Sequence, residues 1–327
     1  MKEKDLGEEE ENQSSEGSNP YLLTIKLRAL YSAGDFEQAL ELVEEGLQEY
    51  PEEAVLYNEK GYILNELGDF EGARENLEKA VGLDDQLEEE YSNLAFALID
   101  LEEYEEEMEA VTKAIELKPD APEQYVALGN ALVMLDRDEE ALEYFDKALE
   151  IDPKLDYALY GKGGALFYLE EYEESITYLE TYLELEPTDV DVLDALVYAY
   201  EMTGDYEETI KYNDIVIEID EDENLIYNID YKGILLTENG QLDEAEQLYE
   251  KMLEEHPLEK GIAYYGLSFI HIYRGEIDEG LDQLEDAAAE DPNLIDYAAS
   301  DPMFEEVYDN ERFIELVGAD EDSFNGL

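Results

Sequence analysis

Between residues 122 and 153 the chain reads PEQYVALGNALVMLDRDEEALEYFDKALEIDP. Apolar and polar positions follow the period of an amphipathic helix twice in this stretch, in runs of about fourteen residues joined by a short charged turn and closed by Pro153. In the first run Tyr125, Leu128, Gly129 and Leu132 share a face, so large apolar groups stand beside a residue with no side chain and a neighbouring helix can come close. In the second run Ala141, Phe145 and Ala148 line one face, a small-large-small order that lets one helix nest against another. The pattern predicts a helical hairpin that cannot bury its apolar face alone.

Stepping by 34 residues in both directions brings similar residue types back to the same places. Units start at Pro20, Ala54, Glu88, Pro122, Asp156 and Val190 and, after small insertions, at Ile226 and Gly261. The fourth position is large throughout: Leu23, Tyr57, Tyr91, Tyr125, Leu159, Leu193, Ile229 and Tyr264. The eighth is small in Gly61, Ala95, Gly129, Gly163 and Gly233, but not in Leu27, Val197 or the polar Ser268. The twentieth is alanine in Ala39, Ala73, Ala141 and Ala245; Ser175 and Gly280 depart mildly, Thr209 and especially Glu107 more. Proline closes six units, at Pro51, Pro119, Pro153, Pro187, Pro257 and Pro292, with Asp85 and Glu221 in the other two.

On these residues the chain resembles the tetratricopeptide repeat family, whose period is 34 residues. The resemblance implies an all-α fold, a right-handed superhelical solenoid of about eight helical hairpins over residues 20–292, followed by a C-terminal capping segment and tail over 293–327. In that last segment Ala298, Asp301, Pro302 and Phe304 precede a helical pattern through Phe313, Ile314 and Leu316. Residues 1–19, acidic and rich in Ser, Gly, Asn and Gln, read as a disordered tail. Inside several hairpins sits a Gly-acid-aromatic turn, as at Gly34-Asp35-Phe36, Gly68-Asp69-Phe70 and Gly204-Asp205-Tyr206. Glycine suits the end of one helix, the acid the positive start of the next.

Composition narrows the chemistry. Across 327 residues 92 acids stand against 19 lysines and arginines, a formal net charge of −73. Phosphate binding needs basic patches, so nucleic acid is excluded as a direct ligand and an anionic membrane is disfavoured, while basic proteins or peptides are attracted. Part of the acidity is also open to a bland reading, as solvated helix faces or an adaptation to a salty cytoplasm. There are no cysteines, hence no disulfide, thiolate metal site or cysteine nucleophile. Without a signal-like or membrane-length apolar run, a cytoplasmic location is expected.

Catalytic candidates are few. His256 falls in the last turn of a helix, and His271 is expected in the core of an apolar one; no triad or phosphate loop accompanies them. The acid run IDEDENL over 219–225 opens like a calcium loop at Asp220, Asp222 and Asn224, but Leu225 replaces the required glycine and Tyr231 the required glutamate. Neither an enzyme nor a cofactor or metal site is expected.

Function then falls to the surface. The family lines its inner wall with the first helix of each unit, at positions 2, 5, 6, 9, 12 and 13. Projected onto this chain, that wall takes Tyr62, Phe96, Tyr157, Tyr160, Phe167 and Tyr168, then Asp191, Asp194, Tyr198 and Glu201, and finally Tyr227, Asp230, Tyr231, Tyr265, Phe269 and Tyr273. Tyrosine offers stiff contact area, and carboxylates beside it favour lysine or arginine through ion pairs and cation-π contacts. The carboxylate clamp of co-chaperone relatives finds amides at Asn58, Asn65, Asn93 and Asn130 but no matching lysines or arginine, so it is not expected. Two readings remain: a scaffold binding a basic, partly extended segment on this wall, with about half of the aromatic residues partly buried, or an acidic chaperone or nucleic-acid mimic acting by bulk charge. Partner identity and oligomeric state are not written in these patterns.

Overall fold

The computed structural model describes residues 19–219 and 225–318. The N-terminal tail, but for Asn19, and the acid run at 220–224 with its calcium-like opening lie outside the described residues. Two compact units divide between Tyr178 and Leu179. In the first, α1 (Pro20–Ser32) and α2 (Phe36–Glu49) form one hairpin, α3 (Ala54–Glu66) and α4 (Phe70–Leu83) the next, then α5 (Glu88–Asp100) and α6 (Tyr104–Leu117), α7 (Pro122–Met134) and α8 (Asp138–Ile151). Helices α9 (Asp156–Tyr168) and α10 (Tyr172–Leu183) follow, the latter crossing the division. The second unit holds α11 (Val190–Thr203), α12 (Tyr206–Ile219), α13 (Leu225–Glu238), α14 (Leu242–Glu255), α15 (Lys260–Tyr273) and α16 (Ile277–Glu290). Helix α17 (Asn293–Ala298), a 3-10 helix (Pro302–Val307) and α18 (Glu311–Val317) cover its end. Among the described residues there is no strand, and no helix is long and apolar enough to cross a membrane.

In the first unit α3, α5 and α7 each pack against the even helix of their own hairpin and that of the hairpin before, and in the second unit α13 and α15 do the same. A recurrent hydrogen bond supports this junction: the Tyr57 hydroxyl donates to the Pro51 carbonyl at 3.1 Å, and the Tyr125 hydroxyl to that of Pro119 at 3.1 Å. The small twentieth position is where the two helices of a hairpin meet, and Ala39, Ala73, Ala141 and Ala245 are fully buried there. Polar replacements recruit backbone acceptors. Ser175 donates to the Gly163 carbonyl at 2.8 Å and Thr209 to that of Asp205 at 3.0 Å. Glu107 is the exception: it is 1 % exposed, its Oε1 has no hydrogen-bond partner, and burial pushes its carboxyl up to about 7.

All eight hairpins turn through a left-handed residue at the same place. Glycine fills it at Gly34, Gly68, Gly204, Gly240 and Gly275, but Glu102 (φ 58°), Asp136 (φ 55°) and Glu170 (φ 61°) adopt it in the other three. The Gly-acid-aromatic pattern therefore marks a backbone shape that the third, fourth and fifth hairpins reach without glycine, against the Cβ clash that disfavours it.

Candidate functional site

The odd helices carry the predicted wall, and the two units present separate parts of it. In the first unit the N-terminal end is occupied by the chain's own arginine. Arg28 of α1 donates through Nε to Glu59 of α3 at 3.0 Å and through Nη2 to Glu89 of α5 at 3.0 Å. The Tyr31 hydroxyl donates to the other oxygen of Glu59 at 2.9 Å, and its ring lies 5.0 Å from that of Tyr62. Glu59 is 2 % exposed, and burial raises its carboxyl pKa although the bonds from Tyr31 and Arg28 oppose the rise. The cluster shows how a guanidinium is held on this surface: two carboxylates from successive hairpins grip it edge-on beside an aromatic pair.

Further along the same unit Phe96, Tyr157, Tyr160 and Tyr168 are exposed, while Tyr62 and Phe167 are half-buried. Phe167 packs edge-on against Tyr168 at 6.0 Å and against Tyr172 at 5.6 Å. Three of the four amides that would belong to a carboxylate clamp bond among themselves, while Asn130 is exposed. Asn93 donates to the Asn58 side chain at 2.9 Å, Asn65 donates to the Asn93 carbonyl at 3.4 Å, and both Asn58 and Asn65 are buried.

In the second unit Asp191, Asp194 and Tyr198 are exposed on α11. Tyr231 of α13 donates to Glu201 of α11 at 2.5 Å; burial, reinforced by this bond, raises the tyrosine's pKa, and Tyr227 stacks parallel to Tyr231 at 6.3 Å while remaining exposed. This repeats the Tyr31–Glu59 bond with the two residue types exchanged between hairpins. Asp230 is half-buried and accepts from the Tyr249 hydroxyl at 2.9 Å; burial nevertheless pushes its carboxyl up to about 6. The half-buried Tyr265 donates to Asp301 at 2.8 Å.

Two residues differ from expectation. Phe269, projected onto the wall, is 7 % exposed and packs on Phe304 of the 3-10 helix at 6.5 Å, because the terminal helices cover this end of α15; Tyr273, one turn on, stays exposed beside a cavity of about 370 Å³. His271 is half-buried with Nδ1 2.7 Å from Glu276, an end-of-helix contact where a core residue was expected. Among the described residues no group of three or more potential metal ligands is gathered into a site.

The sixth position, assigned to the wall, also has a role that periodicity alone did not reveal. Phe145 of α8 is fully buried in a slot between Gly129 of its own hairpin and Gly161 of the next, where an added Cβ would meet the ring at 2.7 and 2.5 Å. Tyr249 of α14 fills the equivalent slot between Gly233 and Gly266, with 2.3 and 2.2 Å. The signal was present in the paired glycines one unit apart.

Family models described as tetratricopeptide repeat match residues 26–88, 91–121, 122–155, 157–189 and 236–300, together more than half of the chain. Comparison with curated proteins returns no match. Among solved structures, a tetratricopeptide repeat protein from Parabacteroides merdae is 17 % identical, with 80 % of this chain and 98 % of that one covered at a TM-score of 0.53. PilF of Pseudomonas aeruginosa is 18 % identical, covering 59 % of this chain and 88 % of its own at 0.54. MamA is 25 % identical over 49 % of this chain and 94 % of its own at 0.47.

Proposed function

The chain belongs to the tetratricopeptide repeat family, and from that premise we propose that it is a non-enzymatic scaffold whose odd-helix surface binds a basic, extended segment of a partner protein. The observation that carries the reading is the seating of Arg28 between Glu59 and Glu89 beside Tyr31 and Tyr62. The chain demonstrates on itself the chemistry by which its surface holds a cation. Exposed tyrosines next to carboxylates recur at Tyr198 near Asp194 on α11 and at Tyr227 beside the Tyr231–Glu201 pair. A bound lysine or arginine there would exchange water for an acidic, aromatic seat, and the aromatic groups would supply most of the contact energy.

The test is a capture from native lysate at moderate salt with three proteins in parallel: intact, Tyr160→Ala with Phe167→Ala, and Tyr198→Ala with Tyr227→Ala. A specific partner retained by the intact chain and weakened about tenfold or more by either pair supports the reading. Capture of one broad set of basic proteins by all three, fading uniformly with salt, would instead assign the activity to bulk charge.

A further inference from the structure

Three seams between hairpins carry the same lock. Lys60 of α3 donates to Glu44 of α2 at 2.8 Å, Lys232 of α13 to Asp214 of α12 at 2.5 Å, and Lys162 of α9 to Asp146 of α8. Each lysine is the seventh residue of its repeat, and each carboxylate the twenty-fifth of the repeat before. The lock lies where an odd helix forms the floor of the cleft between two even helices. At the α12–α14 seam Lys232 and Asp214 both line that cleft, which is left with about 330 Å³.

The α4–α6 seam is built differently. Leu94 of α5 takes the lysine's place opposite Glu78 of α4, and the cleft there opens to about 830 Å³. Its floor is apolar, formed by Tyr91, Leu94 and Leu98 with Met108 from α6 at the side. Glu78 is 60 % exposed, and its one ion pair among the described residues is 3.7 Å long, to Arg74, whose guanidinium Glu103 already holds at 2.7 and 2.8 Å. The lining carries five carboxylates against three cations. Of these cations, Arg137 and Lys113 are paired with Glu140 and Glu116, which lie outside the lining. A leucine stands at the seventh position at three further seams: Leu128 has the neutral Thr112 as its register partner, the partner of Leu196 is Glu180, which accepts from Tyr200 and Tyr212 at 2.7 Å each, and the partner of Leu267 is the exposed Glu250.

We infer that the α4–α6 cleft is a second docking site, for an amphipathic segment of a partner protein that carries a lysine or arginine beside apolar side chains. The partner's cation completes at Glu78 the lock that the chain supplies for itself at three other seams, and the apolar side chains cover Tyr91, Leu94 and Met108. Charge complementarity selects this occupant: an anionic segment would meet the excess of carboxylates, and a purely apolar one would cover Glu78 with only its 3.7 Å contact to the shared Arg74 as counter-ion. Leu94 lies two residues, about 200° around the helix, from the exposed Phe96 on α5, so the cleft does not share the surface proposed above.

The test uses the full chain labelled with 13C at its methionine methyl groups and two fluorescent peptides of one composition, one with lysines flanking a leucine face and one scrambled so that no face exists. At about 0.15 M salt the facial peptide is expected to move the Met108 methyl resonance, and the scrambled peptide to leave it in place. Leu94→Lys, which installs the residue found at Lys60, Lys162 and Lys232, should keep or raise the thermal midpoint while weakening the facial peptide about tenfold. Equal binding by the native and Leu94→Lys proteins, or an equal Met108 shift with both peptides, overturns the inference. Should Leu94→Lys fail to fold, Glu78→Gln takes its place: weakened binding supports the site and unchanged affinity removes it. Loss on Tyr198→Ala with Tyr227→Ala alone would place the peptide on the odd-helix surface and also overturn this site.

Discussion

Lys162 of α9 donates to Asp146 of α8 and so ties the fifth hairpin to the fourth. The lysine is 8 % exposed and also donates to the Tyr178 hydroxyl at 2.7 Å, with Nζ 4.2 Å from the centre of that ring. Burial by itself would lower its pKa, but the bonds to Asp146 and Tyr178 hold it above the ordinary lysine value. Lys162→Met keeps the apolar stem and removes the charge, leaving Asp146 half in water. A loss of about 1.5–3 kcal/mol is expected, the range for a hydrogen bond to a charged group. A urea midpoint unchanged by the substitution would show that the seam is held by apolar packing alone.

The aromatic slots make a sharper packing prediction. Gly161→Ala places a Cβ 2.5 Å from the Phe145 ring, which has nowhere to retreat because Gly129 closes the other side. Overpacking of this kind costs about 1–3 kcal/mol. Adding Phe145→Leu should recover part of the loss, since the second hairpin already pairs Gly61 with Leu77 at the corresponding places. Thermal unfolding of the single and double variants decides it; a double variant no better than the sum of its parts would refute the slot.

At the turns the expected change is a gain. Glu170 holds φ 61° with a side chain that disfavours it, and it is exposed. Glu170→Gly should stabilise the fifth hairpin by about 0.5–1 kcal/mol, the cost of left-handed backbone being partly offset by the extra freedom of glycine in the unfolded chain. The same substitution at Asp136 should behave alike. Calorimetry on both variants checks it, and a lowered midpoint in both would contradict the assignment.

Two buried carboxyls set a pH dependence in the third hairpin. Burial pushes Glu107 up to about 7, and burial with the nearby charges of Asp84 and Glu89 does the same for Glu90. Both oxygens of Glu90 and Oε1 of Glu107 have no hydrogen-bond partner. A carboxyl whose folded pKa lies above its unfolded one binds more protons in the fold, so its contribution to stability falls as pH rises from about 4.5 to about 7 and stays low beyond. Acidification from pH 8 to pH 5.5 should therefore protect the backbone amides of α5 and α6 in hydrogen exchange. Glu107→Gln should flatten this response and raise stability at pH 8 by about 1 kcal/mol. Identical pH profiles for native and variant proteins would show that the carboxyl is solvated.

The repeat, the helix starts and the hairpin order could be read from the chain because they depend on local periodicity. An apolar face every three or four residues and a proline at each junction act within one unit, and eight units in phase leave little room for another fold. The all-α array follows from that pattern. What the tertiary structure alone decided is the fate of individual side chains. Tyr273 is exposed while Phe269 is covered, Glu59 is sealed under Arg28 while Asp194 faces solvent, and Lys232 closes a seam that Leu94 leaves open. The reason is geometric: each such outcome turns on which residue a neighbouring element presents, and a period of 34 aligns residue types without stating which pairs will touch.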